Sequence, residues 1–299
     1  ELKVTEFFSV LLTGIHPRTG EKVFYLPIPN LMFTRDIGFV MGNTLVITQA
    51  SHNARKRETA IAACILKNHS LFSKYNIIEM SHIDSENSLE GGDVMIFDSN
   101  TIIIGLSQRT LAASIENLME FIFSENFSRL IVVDLPKQRE LMHLDTILTK
   151  ININECILFP PIFFDRKFAN HQIEIYEFTK AQKFNQASPL KCSFFELLSN
   201  GESSIEVIKC GGENPIDQIR EQWTDGANAF ALAPGKIIGY DRNYKTLEAL
   251  QNAGYKILKP ENLLNNLLYW KKSTEKFIVS MPGSELVRGR GLIIGIRCK

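Results

Sequence analysis

Apolar and polar positions follow two rhythms along this chain. Short runs, many rich in β-branched residues, predict strands at 22–28, 44–48, 94–97, 101–106, 130–134, 155–159, 205–209, 230–233, 236–240 and 255–258. Between them lie stretches with helical spacing. The run 110–123 puts Leu111, Ile115, Leu118, Met119 and Ile122 on one face, and 55–67 does the same with Ile61, Cys64 and Ile65. The run 243–252 follows Asp-Arg-Asn, whose side-chain oxygens suit an N-cap, and ends at Gly254, suited to a left-handed terminus. The local order is often strand, strand, helix, strand, which predicts an α/β chain with a hairpin inside each unit. Three strand-adjacent acids, Asp36, Glu90 and Asp145, stand 54 and 55 residues apart, a spacing that fits repeated supersecondary units. The segment 180–186 reads as a polar surface loop.

Composition narrows the class. At 299 residues and 44% hydrophobic content the chain can bury a substantial core. Lys+Arg and Asp+Glu balance at 33 each, leaving no electrostatic footprint for nucleic acid or an anionic membrane surface. No apolar run approaches the roughly 20 residues that span a bilayer, and no signal-peptide pattern is visible. Five cysteines without CxxC spacing fit neither a disulfide framework nor a zinc cluster and point to a reducing cytosol.

Several polar clusters carry candidate chemistry. In Pro29–Asp36, Asn30, Phe33, Arg35 and Asp36 form either a capped turn or a rigid ligand wall. In Glu90-Gly-Gly-Asp93 the glycines permit close backbone approach or positive φ, and two acids flank them. Arg109, at the exit of strand 101–106, is a solvated arginine or an anion clamp. Met142–Thr146 alternates strictly, so on a strand His143 and Asp145 share a face, where the acid can tune a general acid/base. No second histidine completes a ligand set, which argues against a metal. Near the C-terminus, Arg288-Gly-Arg-Gly291 is an anion site or an irregular loop. Cys298, between Arg297 and Lys299, sits where cations lower a thiol pKa.

Taken together, these words resemble the arginine deiminase family of guanidine-modifying enzymes. The matching segments are Pro-Asn-Leu-Met-Phe-Thr-Arg-Asp (29–36), Glu-Gly-Gly-Asp-Val (90–94), Arg-Thr (109–110), Met-His-Leu-Asp-Thr (142–146), Ala-Pro-Gly-Lys-Ile-Ile-Gly-Tyr-Asp-Arg-Asn (233–243) and Arg-Gly-Arg-Gly (288–291), in the family's order. The resemblance implies a pentein-type α/β propeller of ββαβ units around a central active site, lacking its N-terminal unit. Residues 1–20 would be a remnant of a helical insertion or N-terminal segment, and 21–299 the catalytic domain. The implied reaction is hydrolysis of L-arginine to citrulline and ammonia in the cytoplasm, without metal or organic cofactor. Cys298 would be the nucleophile and His143 the general acid/base. Asp36 and Asp145 would grip the guanidinium, with Glu90 orienting His143 or the substrate. Arg55 and Arg109 would clamp the substrate carboxylate. Asn30, Phe33, Gly289 and Arg290 would line the pocket, with Asp93 in support. L-Arginine is thus the expected small-molecule partner, neither nucleic acid nor membrane is expected, and a homo-oligomer stays open. Two alternatives also stay open: an amidinotransferase or deiminase of another guanidine, and an inactive homologue that acts as a binding protein, because Cys298 stands eight residues after Arg290.

Overall fold

A computed structural model describes the chain except residues 1, 25–26, 29, 165–166, 169–170, 192–193, 195, 197–204 and 284–299. The described residues form two compact units, 1–91 and 92–283.

In the first unit, strand Thr44–Ile47 pairs antiparallel with Gly38–Met41 and parallel with Asn76–Glu79. Helix Lys56–Asn68 makes the crossover between the two parallel strands. The expected apolar face of this helix is not the buried one. Glu58, Ala62 and Leu66 point inward at i, i+4 and i+8, whereas Ile65 is 52% exposed and Cys64 lies at the surface. Ala62 and Leu66 pack with Ile37, Val40, Leu45 and Ile47. Glu58 is drawn in by a buried partner, and that contact sets the rotation of the helix. Helix Val4–Thr13, which closes at Gly14 with φ 77°, precedes this module; Val4, Phe7, Phe8, Leu11 and Leu12 stand at helical spacing, a signal the sequence reading left unused. The strand expected over 22–28 is reduced, in its described part, to one bridge between Lys22 and Ile15.

The second unit repeats the same plan. Strand Thr101–Leu106 pairs antiparallel with Val94–Ile96 and parallel with Arg129–Asp134, with helix Ala112–Ser124 between them. Ile102, Ile103 and Ile104 are fully buried, as expected of a central strand covered on both faces. Ile115, Leu118, Met119 and Ile122 face the core as predicted; Leu111 is the exposed N-cap. Next, Glu155–Leu158 pairs antiparallel with Leu148–Lys150 and parallel with Glu206–Lys209. The connection between those two parallel strands lends Glu174–Phe178 to the preceding sheet, antiparallel to Arg129–Asp134. In the last module, Lys236–Tyr240 follows Phe230–Ala233 in a hairpin, and helix Tyr244–Asn252 leads to Lys256–Leu258. Strand Phe277–Met281 lies between Lys236–Tyr240 and Lys256–Leu258, parallel to both.

The hairpin, crossover and parallel strand therefore recur four times. Three of the hairpins are entered through a single 3-10 turn: Thr34–Ile37, Gly91–Asp93 and Leu144–Thr146. Asp36 and Asp145 lie within the first and third of these, and Glu90 immediately precedes the second. The acid spacing noted in the sequence is thus the spacing of hairpin entries. Gly254 adopts φ 90° as expected. The cap of helix Tyr244–Asn252 differs: Glu221, from helix Pro215–Trp223, accepts the N–H groups of Lys245 and Thr246 at 2.9 and 2.8 Å, while Asn243 exchanges hydrogen bonds with Thr224. Among the described residues no helix is long and apolar enough to cross a membrane.

Candidate active site

Arg55 lies at the centre of the first unit's polar cluster. It is delivered by the 3-10 turn Asn53–Arg55 that feeds helix Lys56–Asn68, and it is buried. Its Nη1 donates to Asp36 Oδ2 at 2.6 Å and lies 3.7 Å from Glu90 Oε2. Nε donates to Glu58 Oε2 at 3.0 Å, and Nη2 donates to the carbonyl of Phe33 at 3.2 Å. Glu90 also accepts the Ser51 N–H at 2.9 Å.

Burial works to lower the Arg55 pKa. The charge and hydrogen bond of Asp36, then the charges of Glu58 and Glu90, outweigh it and hold the guanidinium above its ordinary value. Burial raises the Glu58 carboxyl, and repulsion from Asp36 and Glu90 adds to it against the attraction of Arg55. Glu58 Oε1 is buried with no hydrogen-bond partner among the described residues. Three carboxylates thus converge on one buried guanidinium. The close approach depends on Gly91, where a Cβ would fall 2.2 Å from the Arg35 carbonyl oxygen.

Asp93 organises the second unit's cluster. It is fully buried; Oδ2 accepts from Ser107 Oγ at 2.7 Å and Oδ1 accepts from the Leu144 N–H at 2.9 Å. Burial pushes the Asp93 carboxyl up to about 7, against the pull of His143 and the hydrogen bonds from Ser107, Thr110 and Leu144. Ser107 Oγ in turn accepts the N–H groups of Arg109 and Thr110 at 2.9 and 3.2 Å, fixing the chain where Arg109 leaves the sheet. Gly105 makes room for this carboxylate, since a Cβ there would lie 2.6 Å from Asp93 Oδ1. His143 and Asp145 are each 3% exposed.

The segment that carries His143 and Asp145 is not the strand its alternation suggested. His143 is extended, at φ −139° and ψ 156°, and Leu144–Thr146 then turns as a 3-10 helix. Thr146 Oγ1 donates to the His143 carbonyl at 2.7 Å, and Asp93 takes up the Leu144 N–H. Those two bonds replace a ladder partner on either side.

The structure therefore gathers Phe33, Asp36, Arg55 and Glu90 in the first unit, and in the second it ties Asp93 to the segment that bears His143 and Asp145 and, through Ser107, to the backbone of Arg109. Asn30 belongs to the turn that ends at Phe33, whose N–H donates to its carbonyl. Arg55, expected to hold a substrate carboxylate, binds carboxylates of the chain itself. Gly289, Arg290 and Cys298 lie outside the described residues. Sequence reasoning missed Glu58 and Ser107 and gave Thr110 no role beyond the Arg-Thr segment. The i, i+3 spacing of Arg55 and Glu58 at a helix start could have signalled the first; nothing local marks Ser107.

Comparison with known proteins decides the family. The arginine deiminase family pattern matches residues 15–299. This chain belongs to the arginine deiminase family. It is 36% identical over 280 residues to the arginine deiminase of Listeria monocytogenes serotype 4a (strain HCC23), an alignment covering 92% of this chain and 61% of that one. The arginine deiminase of Mycoplasma capricolum subsp. capricolum is 33% identical over 276 residues, with 91% and 60% covered. The chain thus spans about three-fifths of the length of these relatives. Among solved structures, the product-bound N-terminal domain of ArgZ, an arginine dihydrolase from the ornithine-ammonia cycle in cyanobacteria, superposes with TM-score 0.57 at 16% identity, over 89% of this chain and 73% of that chain. An adduct of dimethylarginine dimethylaminohydrolase with S-methyl-L-thiocitrulline gives 0.52 at 18% identity, over 77% and 69%. These likenesses show the fold of this arginine deiminase family member to be the pentein α/β arrangement, consistent with the recurring ββαβ modules.

Proposed function

We propose that this chain carries the arginine deiminase reaction, hydrolysis of the L-arginine guanidinium to citrulline and ammonia. The observation that carries the reading is the acid cluster of Asp36, Glu58 and Glu90, which binds the guanidinium of Arg55. A site that recognises one guanidinium this way has the chemistry to recognise another. Family membership supplies the reaction class.

Roles follow from the family resemblance. Asp36 and Asp145 hold the substrate guanidinium, with Glu90 orienting it or His143. Arg109 serves the α-carboxylate, Asn30, Phe33, Gly289 and Arg290 line the pocket, Asp93 supports it, and Arg55 holds Asp36 and Glu90 in place. The Cys298 thiolate attacks the guanidinium carbon and forms a C–S bond. His143 protonates the departing nitrogen, the C–N bond breaks, and ammonia leaves a thiouronium on the cysteine. His143 then takes a proton from water, whose oxygen attacks the same carbon. The C–S bond breaks, citrulline departs and the thiolate is restored. The odd cysteines without disulfide spacing support a reducing cytosol as the setting, where the thiol stays available.

The test is citrulline formation from free arginine, agmatine and a peptidyl arginine, by wild type, Cys298→Ser and His143→Ala. The expected result is turnover of free arginine, abolished in both variants. No turnover of any guanidine by the wild type, or full turnover by Cys298→Ser, would overturn the proposal.

A further inference from the structure

Helix Pro215–Trp223 ends with two consecutive buried polar residues that bond to different modules of the second unit. Glu221 caps helix Tyr244–Asn252. Its neighbour Gln222, 2% exposed, reaches the 3-10 region around His143. Gln222 Nε2 donates to the carbonyl of Glu140 and, at 3.4 Å, to the carbonyl of Thr146. Those two carbonyls bracket the segment that bears His143 and Asp145. Asp93 holds the same segment through the Leu144 N–H.

A primary amide suits this place because it offers two N–H donors from one atom. A carboxylate there would face two carbonyl oxygens, and an apolar side chain would supply a donor to neither. We infer that Gln222 is a positioning residue for His143 and Asp145, clamping the two ends of their segment so that imidazole and carboxylate keep one geometry. The inference rests on the proposed roles of those two residues. Misplacement of a reacting group by about 1 Å costs on the order of 10²-fold in rate.

Two variants of the full chain test it, Gln222→Met and Gln222→Glu, each assayed for kcat and KM on arginine between pH 5.5 and 8.5, with thermal unfolding followed alongside. Gln222→Met keeps the volume and loses both donors; kcat is expected to fall about 10–100-fold, with KM changed less than about threefold. Gln222→Glu is expected to fall further at pH 8, and its rate relative to wild type is expected to recover as pH drops, because a protonated carboxyl regains one donor. A merely structural residue would lose rate only as far as the folded fraction falls at each pH, whereas a positioning residue lowers kcat in fully folded protein. If both variants stay within about twofold of wild-type kcat, or if any loss is pH-independent relative to wild type and tracks the folded fraction, the inference is overturned. A wild-type chain that turns over no guanidine would instead remove the functional reading on which it rests.

Discussion

Asp93 Oδ1 accepts the backbone N–H of Leu144 at 2.9 Å, across 51 residues of sequence. The bond ties the 3-10 turn that enters the second module's hairpin to the one that enters the third. The carboxyl making it is fully buried and titrates near 7, far above the ordinary aspartate range.

A raised folded-state pKa means that the native state binds more protons than the unfolded chain between about pH 4 and pH 7. This carboxyl therefore favours folding most at low pH, and its contribution is lost as pH rises through 7. Asp93→Asn removes the titration. The wild-type stability measured against the variant should fall by roughly 3 kcal/mol between pH 4 and pH 8, since one pKa unit corresponds to about 1.4 kcal/mol. Urea unfolding of both proteins at four pH values measures it, and parallel curves would refute the burial argument.

Arg55→Met should destabilise the first unit by about 3–5 kcal/mol at pH 7.5, because three carboxylates lose their shared cation. The penalty should shrink near pH 4.5, because burial raises the Glu58 carboxyl above its ordinary value and it takes up a proton there. Chemical denaturation at the two pH values gives the difference. An equal loss at both would show that packing, not charge, holds the cluster.

Gly105→Ala places a Cβ 2.6 Å from Asp93 Oδ1 and 3.0 Å from Leu144 Cβ. Overpacking of this kind costs about 1–3 kcal/mol, and here it also pushes on the bond that holds the His143 segment. The variant should lose thermal stability and citrulline formation together, whereas loss of stability with full activity would detach Gly105 from the site.

Thiol labelling should sort the described cysteines. Cys64 is exposed and should react with a disulfide reagent in the native protein. Burial pushes the Cys156 thiol up to about 12 and raises Cys210 as well, so both should react only on unfolding. Peptide mapping after native labelling reads this directly; rapid modification of Cys156 would contradict the packed core around it.

Much of the framework was legible because runs of apolar, β-branched residues mark strands. The isoleucines of Thr101–Leu106 and the hairpin of Phe230–Ala233 with Lys236–Tyr240 match their sequence readings. Strands Gly38–Met41 and Phe277–Met281 escaped the sequence reading. The inward face of helix Lys56–Asn68 was misread because a buried ion pair turned Glu58 to the core, which hydrophobic counting cannot anticipate. The same limit applies to His143. Alternation suggested a strand, but a carboxylate 51 residues away supplied the backbone partner that makes a turn affordable. Candidate acids were found because their spacing follows the modules, and Gln222 was not, because a single glutamine in a polar helix has no pattern to betray it.

Placing Asp36, Glu90 and Asp145 at the entrances to hairpins, outside the strands themselves, separates chemistry from scaffold. None of the three contributes to the regular pairing of a sheet, so exchanging one need not unzip a ladder. On the proposed roles, such an arrangement lets selection retune recognition without breaking strand pairing.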